Sequence, residues 1–217
     1  MEEWEIPFSR LESIDSSYKK NLNRLKIILF FSNIKKTDLV LDLFSGRCDT
    51  SYGLKSRGYR TISGDISIKL LKMNNDVKDK IQLNVLQLPF HNNQFRGIII
   101  QGGLHHLENF EQIVGCLHEV KRVLQPHGYL FISEPANTLL LKIWLFLMKN
   151  TRLWKLSSYT KHWHDLYIVE EKTHSLYLNN ISKLLSYLKS NWTIESHRVG
   201  LVTEFFALKK MKLQSDD

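Results

Sequence analysis

The chain has 217 residues, 43% of them hydrophobic and 24% charged, which suits one globular domain with a sizeable core. Two cysteines, Cys48 and Cys116, in no paired spacing argue against a disulfide-stapled secreted fold and for a reducing compartment. The formal net charge is +8, and its distribution is uneven: no carboxylate occurs between Glu134 and Asp165, where Lys142, Lys149, Arg152, Lys155 and Lys161 alternate with Trp144, Trp154 and Trp163.

The opening decapeptide "MEEWEIPFSR" is acidic and has no apolar core, so no signal peptide is expected and a cytoplasmic location is. Residues 16–31 place Leu22, Leu25, Ile28 and Leu29 at helical spacing. Strand and helix signals then alternate. "DLVLDL" predicts a buried strand, and "DTSYGLKSRG" a helix with Asp49 or Thr50 as cap and Gly58 as its stop. "YRTISG" predicts a strand, "SIKLLKMNN" a helix, "KIQLNV" and "FRGIIIQ" two more strands. The segment "ENFEQIVGCLHEVKRVL" predicts an amphipathic helix closed by Pro126 and Gly128, and "YLFISE" a fifth strand. Strands this apolar, separated by helices, form a parallel sheet covered on both faces. Residues 136–190 read as mostly helical, a lid inserted after strand five. "NWTIESHRV" and "VTEFFALKK", joined at Gly200, predict a closing antiparallel hairpin, giving seven strands.

In a doubly wound sheet a ligand sits beyond the carboxyl ends of the strands. Asp42, Phe44, Ser45, Gly46 and Cys48 follow strand one, and Asp65 ends strand two, placed to accept hydrogen bonds from a ribose diol. Asn84 and Val85 follow strand three. Gln101, Gly102, His105 and His106 follow strand four.

In order and spacing, "LVLDLFSGRCDTSYGL", "GDIS", "NVLQLPFHNNQF" and "GGLHHLENFEQIVGCLHEVKRVLQPHGYLFISEP" resemble the class I S-adenosylmethionine-dependent methyltransferases. They are most similar to the type 11 group that includes quinone-biosynthesis enzymes. The resemblance covers residues 38–135, and its last block is the most specific. It implies a Rossmann-like doubly wound α/β sheet and S-adenosyl-L-methionine as cofactor. It also implies residue roles. Asp42, Ser45 and Gly46 would line the methionine end of the cofactor, with Phe44 and Cys48 also in the cofactor-binding loop; Asp65 would hold the ribose, and Ile66 would pack on the adenine. Asn84 and Val85 would face the adenine edge, and Gln101 and Gly102 would lie under the sulfonium. His105 and His106 would stand at the mouth, His106 being the preferred pocket residue and proton acceptor. The implied organisation is a single domain over 1–217: a helical cap (1–37), a cofactor-binding core (38–135), a lid (136–190) and the hairpin (191–210).

The chain departs from the group's usual residues. Phe44, Cys48 and His127 stand where glycine is usual, and Asn84 and Arg96 where aspartate is usual. Phe44 fits if its ring turns into the sheet–helix interface over an ordinary backbone, and Cys48 by being small. Arg96 is expected at the surface.

Adjacent His105 and His106 on an extended backbone point opposite ways. His162 and His164 are two apart, and no other group has metal-ligand spacing, so no metal is expected. Three functions remain open: methyl transfer to a small, amphiphilic or lipid-linked acceptor, a non-catalytic partner subunit, or, least favoured, a nucleic-acid enzyme. Residues 139–149 read either as a buried lid helix, the preferred reading, or as a peripheral membrane contact, because Trp and Lys suit an anionic interface.

Overall fold

The computed structural model describes residues 34–211, apart from the side chains at 158, 159 and 162. The expected helix over 16–31 and most of the cap lie outside the described residues.

Seven strands form one sheet: β1 (Leu39–Leu43), β2 (Arg60–Asp65), β3 (Lys80–Gln82), β4 (Phe95–Gln101), β5 (Leu124–Pro135), β6 (Trp192–Val199) and β7 (Thr203–Lys210). Their spatial order is β3-β2-β1-β4-β5-β7-β6. β1 pairs in parallel with β2 (Asp42 opposite Ser63) and with β4 (Asp42 opposite Ile99). β7 runs antiparallel between β5 and β6. The direction of winding reverses between β1 and β4, so the connections leaving their carboxyl ends diverge and open a crevice.

Side-chain caps fix where most helices begin. Ser67 opens α2 (Ile68–Lys72), Asn109 opens α3 (Phe110–Val123), and Thr138 opens α4 (Leu139–Asn150); each accepts from the backbone N–H three residues on. Ser157 and Thr160 form a capping box at the head of the long α5 (Ser158–Asn191). α1 (Asp49–Lys55) is the exception. Its N-cap is Cys48, whose side chain makes no capping hydrogen bond, rather than Asp49 or Thr50, which lie inside the first turn.

The core joins Leu41, Leu43, Ile98 and Ile100 of the sheet to Ile113, Leu117 and Val120 of α3. Tyr177, Ile181, Leu184 and Leu188 of α5 belong to the same cluster. Both cysteines are buried free thiols.

Two boundaries differ from expectation. β3 ends at Gln82, not Val85, because Asn84 turns the chain, accepting from the Leu86 N–H at 2.9 Å. α3 passes directly into β5 at Leu124, so Pro126 and Gly128 lie within a strand rather than beyond a helix. A register shift against Phe95 and Gly97 absorbs the extra residues there, and His127 takes φ 58°.

Candidate active site

A cleft of about 1470 Å³ opens at the carboxyl ends of β1, β2 and β4 and is closed on one side by α5. Its floor is Asp42, 1% exposed, whose Oδ2 accepts from the Ser51 N–H at 3.0 Å and the Ser51 hydroxyl at 2.8 Å. Burial outweighs these bonds and pushes the Asp42 carboxyl up to about 7.

Asp65 organises the opposite wall. Its Oδ2 accepts from the Gly46 N–H and its Oδ1 from the Ser67 N–H, both at 2.8 Å. One carboxylate thus ties the loop after β1 to the start of α2. Ile66, beside it, is 60% exposed to the cleft. Asn84 and Val85 continue this wall, and the Asn84 Oδ1 is already engaged with Leu86.

The loop after β1 lies along the cleft through Phe44, Ser45, Gly46 and Arg47. The Phe44 ring is partly buried against the core, as expected. Its backbone is not ordinary: Phe44 has φ 54° and Cys48 φ 61°, both left-handed. With His127, all three residues that replace glycines therefore adopt the conformation glycine favours. Cys48 does not line the cleft. Its side chain is fully buried with Leu71 and Val77, and burial pushes its thiol up to about 11. The sequence-based assignment of Cys48 to the cofactor is corrected accordingly: the left-handed turn sends its side chain behind the loop. The Arg96 guanidinium lies over the Tyr129 ring, 5.5 Å from its centroid.

The third wall follows β4. Thr50 Oγ1 donates to Gln101 Oε1 at 3.2 Å, and Gly102 has φ 67°. Gly103 and Leu104 donate their backbone N–H groups to Glu134 Oε1 at 2.7 and 2.8 Å. These bonds curl residues 104–106 into a 3₁₀ turn, so His105 and His106 do not diverge as they would on an extended chain. Their rings lie 4.2 Å apart. His105 is buried, with Nδ1 2.7 Å from Glu134 Oε2, and only His106 reaches the cleft.

Glu170 of α5 faces both histidines and lines the cleft with Val169 and Thr173. No local spacing points to it, because it lies 64 residues downstream of His106 on a helix with ordinary charge content. Burial would lower the His105 imidazolium, but the Glu134 and Glu170 carboxylates overcome it and hold it well above the ordinary histidine range. Burial and the neighbouring His105 charge push His106 down to about 4. His106 therefore stands below the ordinary histidine range at this site.

The chain resembles known proteins in two ways. Residues 41–132 match a family described as a methyltransferase domain. Among curated proteins, the chain is 33% identical over 112 residues to an uncharacterised protein of Methanocaldococcus jannaschii, covering 52% of this chain and 47% of that one. It is 30% identical over 103 residues to a demethylmenaquinone methyltransferase of Corynebacterium glutamicum, covering 47% of this chain and 44% of the enzyme. The chain spans about half the length of the curated relatives it matches. Among solved structures, a putative S-adenosylmethionine-dependent methyltransferase of Methanococcus maripaludis superposes with TM-score 0.62 at 16% identity, covering 90% of this chain and 86% of that one. A protein of Pyrococcus horikoshii gives TM-score 0.60 at 17% identity over 89% and 91% of the two chains. At such identities the likeness is one of fold.

Proposed function

From a chain that carries a methyltransferase domain over residues 41–132, we propose an enzyme that transfers a methyl group from S-adenosylmethionine to a small acceptor molecule. The observation that carries the proposal is the Asp65 carboxylate at the end of β2, beside exposed Ile66, on a wide cleft at the switch point of the sheet. The Ser45 side chain lies on the same cleft.

When bound, the cofactor supplies an electrophilic methyl on a sulfonium, and the protein's task is to hold donor and acceptor in line. Asp65 accepts from the ribose hydroxyls while keeping Gly46 and Ser67 in place. Ile66 and Val85 offer apolar faces to the adenine, and Asn84 is the polar group at its edge. Asp42, Ser45 and Gly46 meet the methionine end, and Gln101 and Gly102 lie beneath the reacting atoms. Phe44 narrows this end of the cleft without closing it. His106 and Glu170 stand where the acceptor enters and orient it. The core 38–135 and the lid 136–190 act as one unit, because both contribute walls.

The acceptor is amphiphilic in this reading, and the chain meets it at an anionic membrane surface without crossing one. No helix among the described residues is long and apolar enough to span a membrane. The support comes from α4. Leu139, Leu140, Ile143 and Phe146 are exposed, in contrast to the buried helix favoured from sequence. The turn between β6 and β7 adds exposed Leu201 and Val202, held beside α4 by the Thr138 hydroxyl donating to the Leu201 carbonyl at 2.5 Å. Exposed Lys142 supplies positive charge at the same face. Nucleic acid is not the proposed partner, and the proposed location is the cytoplasm.

Calorimetric titration with S-adenosylmethionine and S-adenosylhomocysteine tests the cofactor. Binding is expected, and Asp65→Asn should weaken it while preserving the melting temperature better than Asp65→Ala, which also releases the Gly46 loop. Absence of binding to folded protein favours a non-catalytic partner subunit instead.

A further inference from the structure

We propose that His105, His106 and Glu170 form a site for one divalent transition-metal ion of the zinc class in the wall of the cleft. The three residues each offer one ligand atom, and all three atoms lie within 4.8 Å of one another. His105 Nε2 is 3.5 Å from Glu170 Oε2, and His106 Nδ1 is 3.6 Å from Glu170 Oε1. These separations are long for hydrogen bonds. Each is close to the ligand–ligand edge of a tetrahedral site, about 3.4 Å when metal–nitrogen and metal–oxygen bonds are ~2.0–2.1 Å, so that either oxygen of Glu170 could serve as the ligand.

The surroundings fix the histidine as a ligand must be fixed. Glu134 Oε1 is engaged by two backbone N–H groups, and Oε2 faces His105 Nδ1 at 2.7 Å. Glu134 therefore keeps one proton of His105 on Nδ1 and turns Nε2 toward Glu170, where a metal ion would take the place of the second proton. A carboxylate that orients a histidine through its far nitrogen is the common second layer of metal centres. His174, one turn along α5 from Glu170, packs edge-on against the His105 ring with centroids 5.6 Å apart and limits its rotation. A ring nitrogen facing a carboxylate needs a cation between them, and a metal ion can take the place of the second proton that His105 otherwise holds there. Glu170 Oε1 is buried there with no hydrogen-bond partner.

Two nitrogens and a carboxylate suit zinc and its neighbours in the first transition row better than magnesium or calcium. Glu170 and His106 line the cleft, so a fourth position would open toward it. Three protein ligands with one open position is the pattern of a reactive rather than a closed structural site. On the proposed function, an acceptor oxygen would take that position.

The competing arrangement is a second proton on His105, which would sit as an imidazolium between two carboxylates. Chelator-stripped protein titrated with Zn²⁺ by calorimetry, and with Co²⁺ by visible absorption, distinguishes the two. One ion per chain is expected. Glu170→Gln and His106→Ala should remove the binding, Glu134→Gln should weaken it roughly 10- to 100-fold, and His164→Ala, elsewhere on α5, should leave it unchanged. Ring ¹⁵N spectra should show His105 Nε2 losing its proton and shifting on Zn²⁺ addition while Nδ1 keeps its own. Failure of the folded wild type to bind, equal binding by Glu170→Gln and His106→Ala, or a doubly protonated His105 unaffected by Zn²⁺ would each overturn the proposal. S-adenosylhomocysteine titration of the same samples reads the cofactor site separately, so failure of one reading does not pass for failure of the other.

Discussion

The ring of Phe44 rests directly on the backbone of Gly103: a Cβ added at Gly103 would come 2.3 Å from Cγ and Cδ2 of Phe44. The large residue in the first loop is thus matched by the absence of a side chain after β4. Gly103→Ala should destabilise the protein by roughly 1–3 kcal/mol, the usual cost of overpacking. In a Phe44→Gly background the same change should cost less than about 0.5 kcal/mol, as at an uncrowded site. Urea denaturation of the four proteins in the cycle measures the coupling, and additive effects would refute the pairing.

His127 is exposed and left-handed, so its side chain gains little from packing to offset its backbone. His127→Gly removes a conformational cost of about 1–2 kcal/mol and adds unfolded-state entropy of roughly 0.5–1 kcal/mol. A small net stabilisation follows, seen as a raised Tm. Cys48→Gly should not share it, because the Cys48 side chain fills space beside Leu71 and Val77.

Asp42 makes stability depend on pH in an unusual direction. Its folded carboxyl titrates at about 7, against an ordinary value of 3.8. Between those values the folded chain holds a proton that the unfolded chain has released, so this group's contribution falls as pH rises from about 4 to 7 and is level above. Burial sets an upper bound of about 4 kcal/mol on the change, at about 1.4 kcal/mol per unit. Asp42→Asn keeps an acceptor for Ser51 and should lose less stability than wild type over that window. Urea midpoints from pH 4 to 8 provide the comparison.

The exposed residues of α4 should be separable from folding. Leu140→Lys and Phe146→Glu fall at exposed positions and should shift stability by no more than about 0.5 kcal/mol. Sedimentation with anionic vesicles should be weakened, most by the Phe146→Glu change, which removes apolar area and adds like charge to the membrane. Unchanged sedimentation would separate α4 from any lipid role.

The alternation of strands and helices was readable because each buried strand is a short continuous apolar run and each helix has its period. The sheet, its closing hairpin and the helical lid followed from those patterns. So did the placement of Asp42, Asp65 and Gln101 on one cleft, since a parallel sheet brings its carboxyl ends to one edge. Three features were not readable. The backbone signs of Phe44 and Cys48 depend on loop closure rather than residue type. The clustering of His105 and His106 depends on a turn set by Glu134, about thirty residues away. Glu170 meets them only through tertiary packing of α5, which no local spacing encodes.

The 34 residues of α5 make it a rod about 51 Å long, with Ile181, Leu184 and Leu188 seated in the core. Glu170 lies fourteen residues from Leu184, roughly 21 Å along the axis. A tilt of about five degrees at the seated end would carry Glu170 through about 2 Å, by the same rise per residue. The helix is therefore a lever whose fulcrum is in the core and whose load is a carboxylate at the cleft. A substitution of one methylene near Leu184 or Leu188 could retune the cleft without touching any residue that lines it.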